Sequence, residues 1–199
     1  MQAETTMIAA ASHVGACRAS TSPHFTEGSS ITAAVRAEPK LGQATISVNG
    51  SWQGGVRLAA QTGAMTQGGE RDETRVAKFA MSSDEPAGLL GTDTAVSPGE
   101  YVLQALAGCY SATLAALASV QGIELKSVRL ELEGDIDFRG FLGTDLSVRP
   151  GLQQVRVRLH VDAPDAPREQ LEELVALVES RSPIRDTLVN PVDVVTTLA

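Results

Sequence analysis

The sequence has few cysteines, few histidines and few aromatic residues, and each shortage excludes a class of protein. Two cysteines in 199 residues cannot form the disulfide framework of a small secreted scaffold. His13, His24 and His160 do not cluster with the cysteines, so no zinc site is predicted. Residues 1–20 show no basic region followed by a long apolar core, so no signal peptide is expected. These features favour a globular protein in the reducing cytoplasm.

Positive charge is also scarce. The 24 acidic residues outnumber the 16 Lys and Arg, and the formal net charge is −8. An acidic surface repels phosphate backbones. No run of Lys and Arg with interleaved aromatic residues provides a local exception. No nucleic-acid partner is therefore expected.

The segment from Tyr101 to Val120 contains no charged residue and is about as long as a membrane span. Many of its residues are Ala, Gly, Ser, Thr and Gln, and no Lys/Arg asymmetry or aromatic belt flanks it. A helix that is apolar on every face must be buried somewhere. The segment therefore predicts a doubly buried core helix, and no membrane partner is expected.

The chain divides into a tail and one domain. Residues 1–42 are predicted to be a flexible N-terminal tail with a short helix over 30–37, and residues 43–199 a single domain. Strands are expected where apolar and polar residues alternate, and helices where Ser-Pro caps open an apolar stripe. The predicted strands are 44–52, 56–65, 74–81, 125–137, 152–162 and 192–198, and the predicted helices are 97–120, 167–179 and 182–190.

This order of elements indicates an α+β fold with antiparallel sheet. The connection 138–151 is unusually apolar for a loop and is expected to pack on something. The pairs Gly54-Gly55 and Gly68-Gly69 are turn glycines and not phosphate cradles, because no helix follows either pair. No bound cofactor is predicted.

Several motifs occur in a characteristic order. They are DEP at 84–86, LGTD at 90–93, SPGEYVLQALAGC at 97–109, RGFLG at 139–143, VRPG at 148–151 and RSPI at 181–184. Together they resemble the OsmC/Ohr family over roughly residues 43–199. Within that family, they are similar to a single-cysteine OsmC-like branch.

The resemblance implies an intertwined homodimer in which antiparallel sheets wrap around the long central helices of both chains. Active sites then lie at the dimer interface. Better-studied members reduce organic hydroperoxides with a reactive Cys on the central helix, a second resolving Cys, and an Arg and a Glu that activate the first. Lipoylated proteins or other dithiols recycle the enzyme.

By this resemblance, Cys109 stands where the family has its peroxidatic Cys. The thiolate is the nucleophile, and a nearby cation favours it. Arg57, at the first hairpin, is similar to the family's activating Arg. Arg71 is the alternative candidate for the same role. Without the resemblance, Cys109 is a small core hydrophobe.

Two positions depart from the family pattern. The catalytic Glu directly follows the motif Pro, where this chain has Gly99, and Glu100 is one residue further on. The resolving Cys precedes a Pro, where this chain has Ser182. A serine cannot form a disulfide, and Cys17 lies in the predicted tail. Glu100 and Ser182 are also explained as helix-capping residues.

Two hypotheses for function remain open. The first is thiol-dependent reduction of a small organic hydroperoxide, with Cys109, Arg57 and Glu100 as site residues and an external thiol as reductant. The second is a non-catalytic OsmC-like module that binds a small apolar ligand or a protein partner in the dimer cleft.

Overall fold

The computed structural model describes residues 30–198. Its helices are α1 (Ser30–Ala37), α2 (Pro98–Gln121), α3 (Phe138–Phe141), α4 (Arg168–Arg181) and α5 (Pro183–Val189). Its strands are β1 (Ala44–Thr45), β2 (Val48–Trp52), β3 (Leu58–Thr62), β4 (Met65–Gln67), β5 (Glu70–Asp72), β6 (Ala80–Ser83), β7 (Ser127–Ile136) and β8 (Leu152–Asp162). All strand pairs are antiparallel, so the predicted α+β class is confirmed. Residues 1–29, which hold most of the predicted tail and Cys17, lie outside the described residues.

Helix α2 is the predicted long helix, and its ends follow from local chemistry. The Ser97 Oγ accepts a hydrogen bond from the Glu100 N–H at 3.3 Å, and the Glu100 carboxylate accepts one from the Ser97 N–H at 2.8 Å. This capping box satisfies two amide groups that would otherwise lack partners. Gly122 ends the helix with a φ of 70°, a left-handed conformation that favours glycine.

One face of α2 forms the centre of the core. The buried cluster consists of Leu106, Tyr110, Leu114, Leu117 and Ala118 of α2 with Leu174 and Val178 of α4. By length and composition α2 could also cross a membrane. Its packing against α4, α5 and β7 shows that it serves here as the core helix.

Strands β7 and β8 form a long hairpin that covers α2, as the alternation in their sequences predicted. Their apolar residues, among them Val128, Leu130 and Val157, pack against the buried cluster. On the outer face, Glu133 lies opposite Arg156 in the register. The Arg156 guanidinium bonds to the carboxylates of Glu133 and Asp135, so acidic and basic residues pair across the strands.

The predicted N-terminal meander is wrong in detail. It forms two three-stranded sheets, with strand orders β1-β4-β5 and β2-β3-β6. The chain crosses between them at Ser47 and Gly63, where the Gly63 N–H donates to the Ser47 carbonyl at 2.8 Å. A Cβ at Gly63 would lie 2.3 Å from the Ser47 Oγ, so a larger residue would displace the Ser47 side chain, whose Oγ donates to the Ala64 carbonyl at 2.6 Å. Alternation in sequence cannot reveal such a break.

The strand predicted over 74–81 is also wrong for most of its length, since β6 begins at Ala80. The residues before it form turns, and Ala77 has a φ of 54°. The Thr62 Oγ donates to the Arg75 carbonyl at 2.5 Å and accepts from the Phe79 N–H at 3.2 Å. In these two hydrogen bonds the Thr62 hydroxyl takes the place of a backbone group that would pair two regular strands.

The final strand predicted over 192–198 is wrong for the single chain. This segment carries no secondary structure, and its apolar side chains are exposed, Val195 to 85%. Alternating valines suit a strand, but a strand needs an adjacent edge to pair with. The segment pairs with none of the described strands.

The connection 138–151 contains α3, and Phe141 and Leu142 are exposed in the single chain, so the packing expected for them stays a prediction. Polar contacts hold it instead. The Asp137 carboxylate accepts from the Arg139 N–H at 3.0 Å, and the Arg139 guanidinium also contacts Asp145 at 3.3 Å. Within the described part of a single chain, no contact therefore buries the side chains of Phe141 and Leu142.

A buried carboxylate organises the loop before α2. Asp84 is 0% exposed, and it accepts hydrogen bonds from the backbone N–H groups of Glu85, Thr92 and Thr94 and from both threonine hydroxyls. The Thr92 hydroxyl is the main cause that holds the pKa of Asp84 well below its usual range, against the opposing effect of burial. A Cβ at Gly91 would clash with the Glu85 carbonyl, so this turn also requires glycine.

We expect Asp84→Asn to lower the melting temperature at neutral pH. Because the pKa of Asp84 is depressed in the folded chain, its contribution is complete above the unfolded Asp pKa of about 3.9 and is lost as pH falls further. Thermal unfolding across a pH series should therefore show the two proteins converging in acid. A constant difference at all pH values would contradict this origin.

Candidate active site

Cys109 lies in the middle of α2, is half-buried and carries a free thiol. Its side chain faces the junction between α4 and α5, where Ser182 is only 1% exposed. The Ser182 Oγ donates a hydrogen bond to the Cys109 Sγ at 3.1 Å. Residues 73 positions apart in sequence thus form one site.

Ser182 is also the N-cap of α5, as its Ser-Pro sequence predicted. Its Oγ accepts from the Arg185 N–H at 3.3 Å, and Pro183 takes the first helical position. A hydroxyl has one proton and two acceptor lone pairs. Capping uses a lone pair, so the proton remains available for the Cys109 sulfur.

The contact has a clear relation to the sequence motif. The resemblance placed a resolving Cys at position 182, where this chain has serine. The structure puts that side chain directly against Cys109. Position 182 therefore lies where a resolving Cys would have to lie. Its side chain carries an oxygen in place of the sulfur that a disulfide would need.

Neither candidate arginine donates a hydrogen bond to Cys109 in the described part of the chain. The Arg57 guanidinium donates to the Gln53 carbonyl at 3.2 Å, at the exposed turn between β2 and β3. Arg71 pairs with Glu73 at 2.5 Å on an exposed strand. A role for either one at the thiol remains a prediction.

Glu100 is held at the start of α2. Its carboxylate accepts hydrogen bonds from both the N–H and the Oγ of Ser97 at 2.8 Å. The bond from the Ser97 N–H is the main cause that lowers the pKa of Glu100, and the bond from the Ser97 Oγ is the second. Cys109 lies nine positions after Glu100, which places them about 13.5 Å apart along the axis and on opposite sides of α2. Within one chain, Glu100 acts as a cap.

Sequence reasoning missed Tyr110 and Arg185. Tyr110 is buried, and burial is the main cause that raises the pKa of its phenol. The Arg185 side chain lies near this phenol and also donates to the Glu179 carbonyl at 3.2 Å. Arg185 directly follows the RSPI motif, and this adjacency was the one available signal.

Tyr110 and Arg185 line a cleft of 580 Å³ beside the thiol's helix. Its apolar lining includes Leu106 of α2 and Val155 and Val157 of β8, and its polar lining includes Arg149 and Glu179. Between residues 30 and 198, no group of three or more His, Cys, Asp and Glu side chains could hold a metal ion.

An antiparallel hairpin covers one side of a long helix that has no charge after Glu100 and one thiol at its centre, in an α+β protein. The OsmC-like protein family matches residues 91–197, more than half of the chain. The chain belongs to the OsmC-like family. A search of curated proteins found no match.

Solved structures share this fold at low sequence identity. An OsmC-like protein from Mycoplasma pneumoniae has a TM-score of 0.58 and 16% identity, and the match covers 73% of this chain and 87% of that one. An organic hydroperoxide resistance protein OsmC from Legionella pneumophila has a TM-score of 0.52 and 19% identity, with 72% and 88% covered. An organic hydroperoxide resistance protein from Elizabethkingia anophelis has a TM-score of 0.51 and 14% identity, with 71% and 86% covered.

We expect Ser182→Cys to form a disulfide with Cys109 upon mild oxidation. The side-chain atoms of the two positions already lie 3.1 Å apart, and a disulfide bond of about 2.05 Å needs only a small adjustment. In a Cys17→Ser background, mass spectrometry of peptides before and after reduction would detect the link.

Ser180→Cys is the matched control, because Ser180 is exposed and its Oγ donates to the Leu177 carbonyl instead. This variant should keep both thiols free. Equal cross-linking in the two variants would contradict the geometry of the site.

Proposed function

We propose that this protein reduces organic hydroperoxides with Cys109 as the nucleophile. The observation that carries the proposal is the contact between the Cys109 Sγ and the buried Ser182 Oγ at 3.1 Å. It holds a free thiol at the place where the family resemblance expects a peroxidatic cysteine. Two structural relatives named organic hydroperoxide resistance proteins, from Legionella and Elizabethkingia, support the same general role in peroxide detoxification.

In the proposed first step, the Cys109 thiolate attacks the terminal oxygen of the hydroperoxide. An S–O bond forms and the O–O bond breaks, so the sulfur is oxidised to a sulfenic acid and the peroxide is reduced to an alcohol. The proton released by the thiol is balanced by the proton that the leaving alkoxide takes up from solvent.

The return step needs an external thiol, because Ser182 cannot form a disulfide. One external thiol attacks the sulfenic sulfur and releases water, which leaves a mixed disulfide. A second thiol, or the other sulfur of a dithiol, attacks that disulfide and regenerates Cys109. The reducing cytoplasm, our proposed location, would supply such thiols.

A homodimer is part of this proposal. The outward face of α2 carries a stripe of exposed small residues, Ala105, Gly108, Ala112 and Ala115, and no charge. Large apolar side chains of the β2-β3-β6 sheet are also exposed, Trp52 to 74%. A second copy would cover these surfaces. It would also bring a second Arg57 and Glu100, which the single chain does not place at its own thiol.

We expect size-exclusion chromatography with light scattering to give twice the mass of one chain. Ala112→Glu should shift the protein toward monomer or unfold it, because the new carboxylate would be buried without a partner. Ala176→Glu is the matched control, since Ala176 is an exposed alanine on α4 and should leave the dimer intact. A stable, folded monomer of the unaltered chain would overturn the proposed assembly.

The activity test follows the sulfur directly. In a Cys17→Ser background, cumene or tert-butyl hydroperoxide should produce a dimedone adduct on Cys109, and added dithiol should sustain alcohol formation over many turnovers. Cys109→Ala should abolish both signals. The peroxidase proposal fails if Cys109 reacts with the hydroperoxide no faster than the thiol of the unfolded chain.

The second candidate is a non-catalytic module that binds a small apolar ligand. The cleft of 580 Å³ favours it, because apolar side chains of α2, β8 and α5 line about half of it, and Tyr110 and charged groups such as Arg149 offer polar contacts. Titration with a fluorescent apolar probe would distinguish the two. Binding that Val157→Glu removes, together with an inert Cys109, would support the module.

A further inference from the structure

Ser182 is hydrogen-bonded to both of the helices that meet at it. Its N–H donates to the Val178 carbonyl at 2.9 Å, which ties it to the last turn of α4. Its Oγ accepts from the Arg185 N–H, and the Arg185 side chain reaches back to the Glu179 carbonyl. The Ser182 hydroxyl thus accepts from the Arg185 N–H and donates its own proton to the Cys109 Sγ.

The direction of this hydrogen bond matters for the sulfur. A thiolate accepts a stronger hydrogen bond than a neutral thiol, because hydrogen bonds to ionised groups are shorter and stronger. A donor at this place therefore favours the charged form of the group that accepts. Since the Ser182 hydroxyl is buried, water does not compete with the sulfur for this donor.

We propose that Ser182 is a positioning residue that holds the Cys109 sulfur in one orientation and favours its thiolate. This inference rests on the proposed function, in which the thiolate is the nucleophile. Ser182 acts through the sulfur and does not touch the substrate. The position that would hold a resolving cysteine thus becomes a fixed hydrogen-bond donor, which suits a site recycled by an external thiol.

The test measures the thiol without any peroxide. Rates of alkylation by iodoacetamide are recorded against pH for Ser182→Ala, with Cys17→Ser in all proteins. We expect the profile of the variant to move to higher pH and the rate at neutral pH to fall about tenfold, since a charge-assisted hydrogen bond is lost.

A control must separate this effect from loss of the α5 cap. Thr187→Gly weakens α5 without touching Ser182, because the Thr187 Oγ donates to the Pro183 carbonyl at 2.9 Å within α5. Its alkylation profile should match that of the unaltered chain. A shift as large as that of Ser182→Ala would show that α5 stability sets the profile and would overturn the proposal.

A double-mutant cycle gives a second readout. Ser182→Ala should destabilise the chain more when Cys109 is present than in a Cys109→Ala background, because only the first comparison breaks the contact. An unmoved alkylation profile, or equal destabilisation in both backgrounds, overturns the positioning role. If the profile shifts while hydroperoxide leaves Cys109 untouched, Ser182 still positions the thiol and only the peroxidase proposal fails.

Discussion

The fold depends on the burial of one uncharged helix. Helix α2 has no charged residue between Tyr101 and Val120, so every face of it gains from leaving water. In one chain, α4, α5 and the β7-β8 hairpin cover a single side, where Leu106, Leu114 and their neighbours are buried. The opposite side remains an uncovered stripe of small residues. This imbalance is the main support for the homodimer proposed above.

The same packing creates the site. Docking α4 against α2 brings the junction before α5 onto the middle of α2, and there the hydroxyl of Ser182 meets the sulfur of Cys109. One hydroxyl serves two purposes at this junction, since it caps α5 and donates to the sulfur. A change at position 182 would therefore affect both the stability of α5 and the reactivity of the thiol.

The groups expected to activate the thiol lie elsewhere in the single chain. Arg57 bonds to its own turn and Glu100 to its own cap. Arg185, which no prediction named, is the guanidinium next to Tyr110. If a second copy brings Arg57 to the sulfur, the site is shared between chains. Otherwise, among the described residues, the hydroxyl of Ser182 is the hydrogen-bond donor to the thiol.

Local patterns in the sequence determined the long elements. Helix α2 with its capping box, helices α4 and α5 and the hairpin of β7 and β8 were all predicted, because periodicity and caps depend on residues a few positions apart. The motifs around Cys109 and Ser182 also indicated the family. Only the tertiary structure decided the crossing at Gly63, the missing strand after Asn190 and the contact between Cys109 and Ser182. Each of these depends on which distant segments meet, and packing of the whole chain sets that geometry.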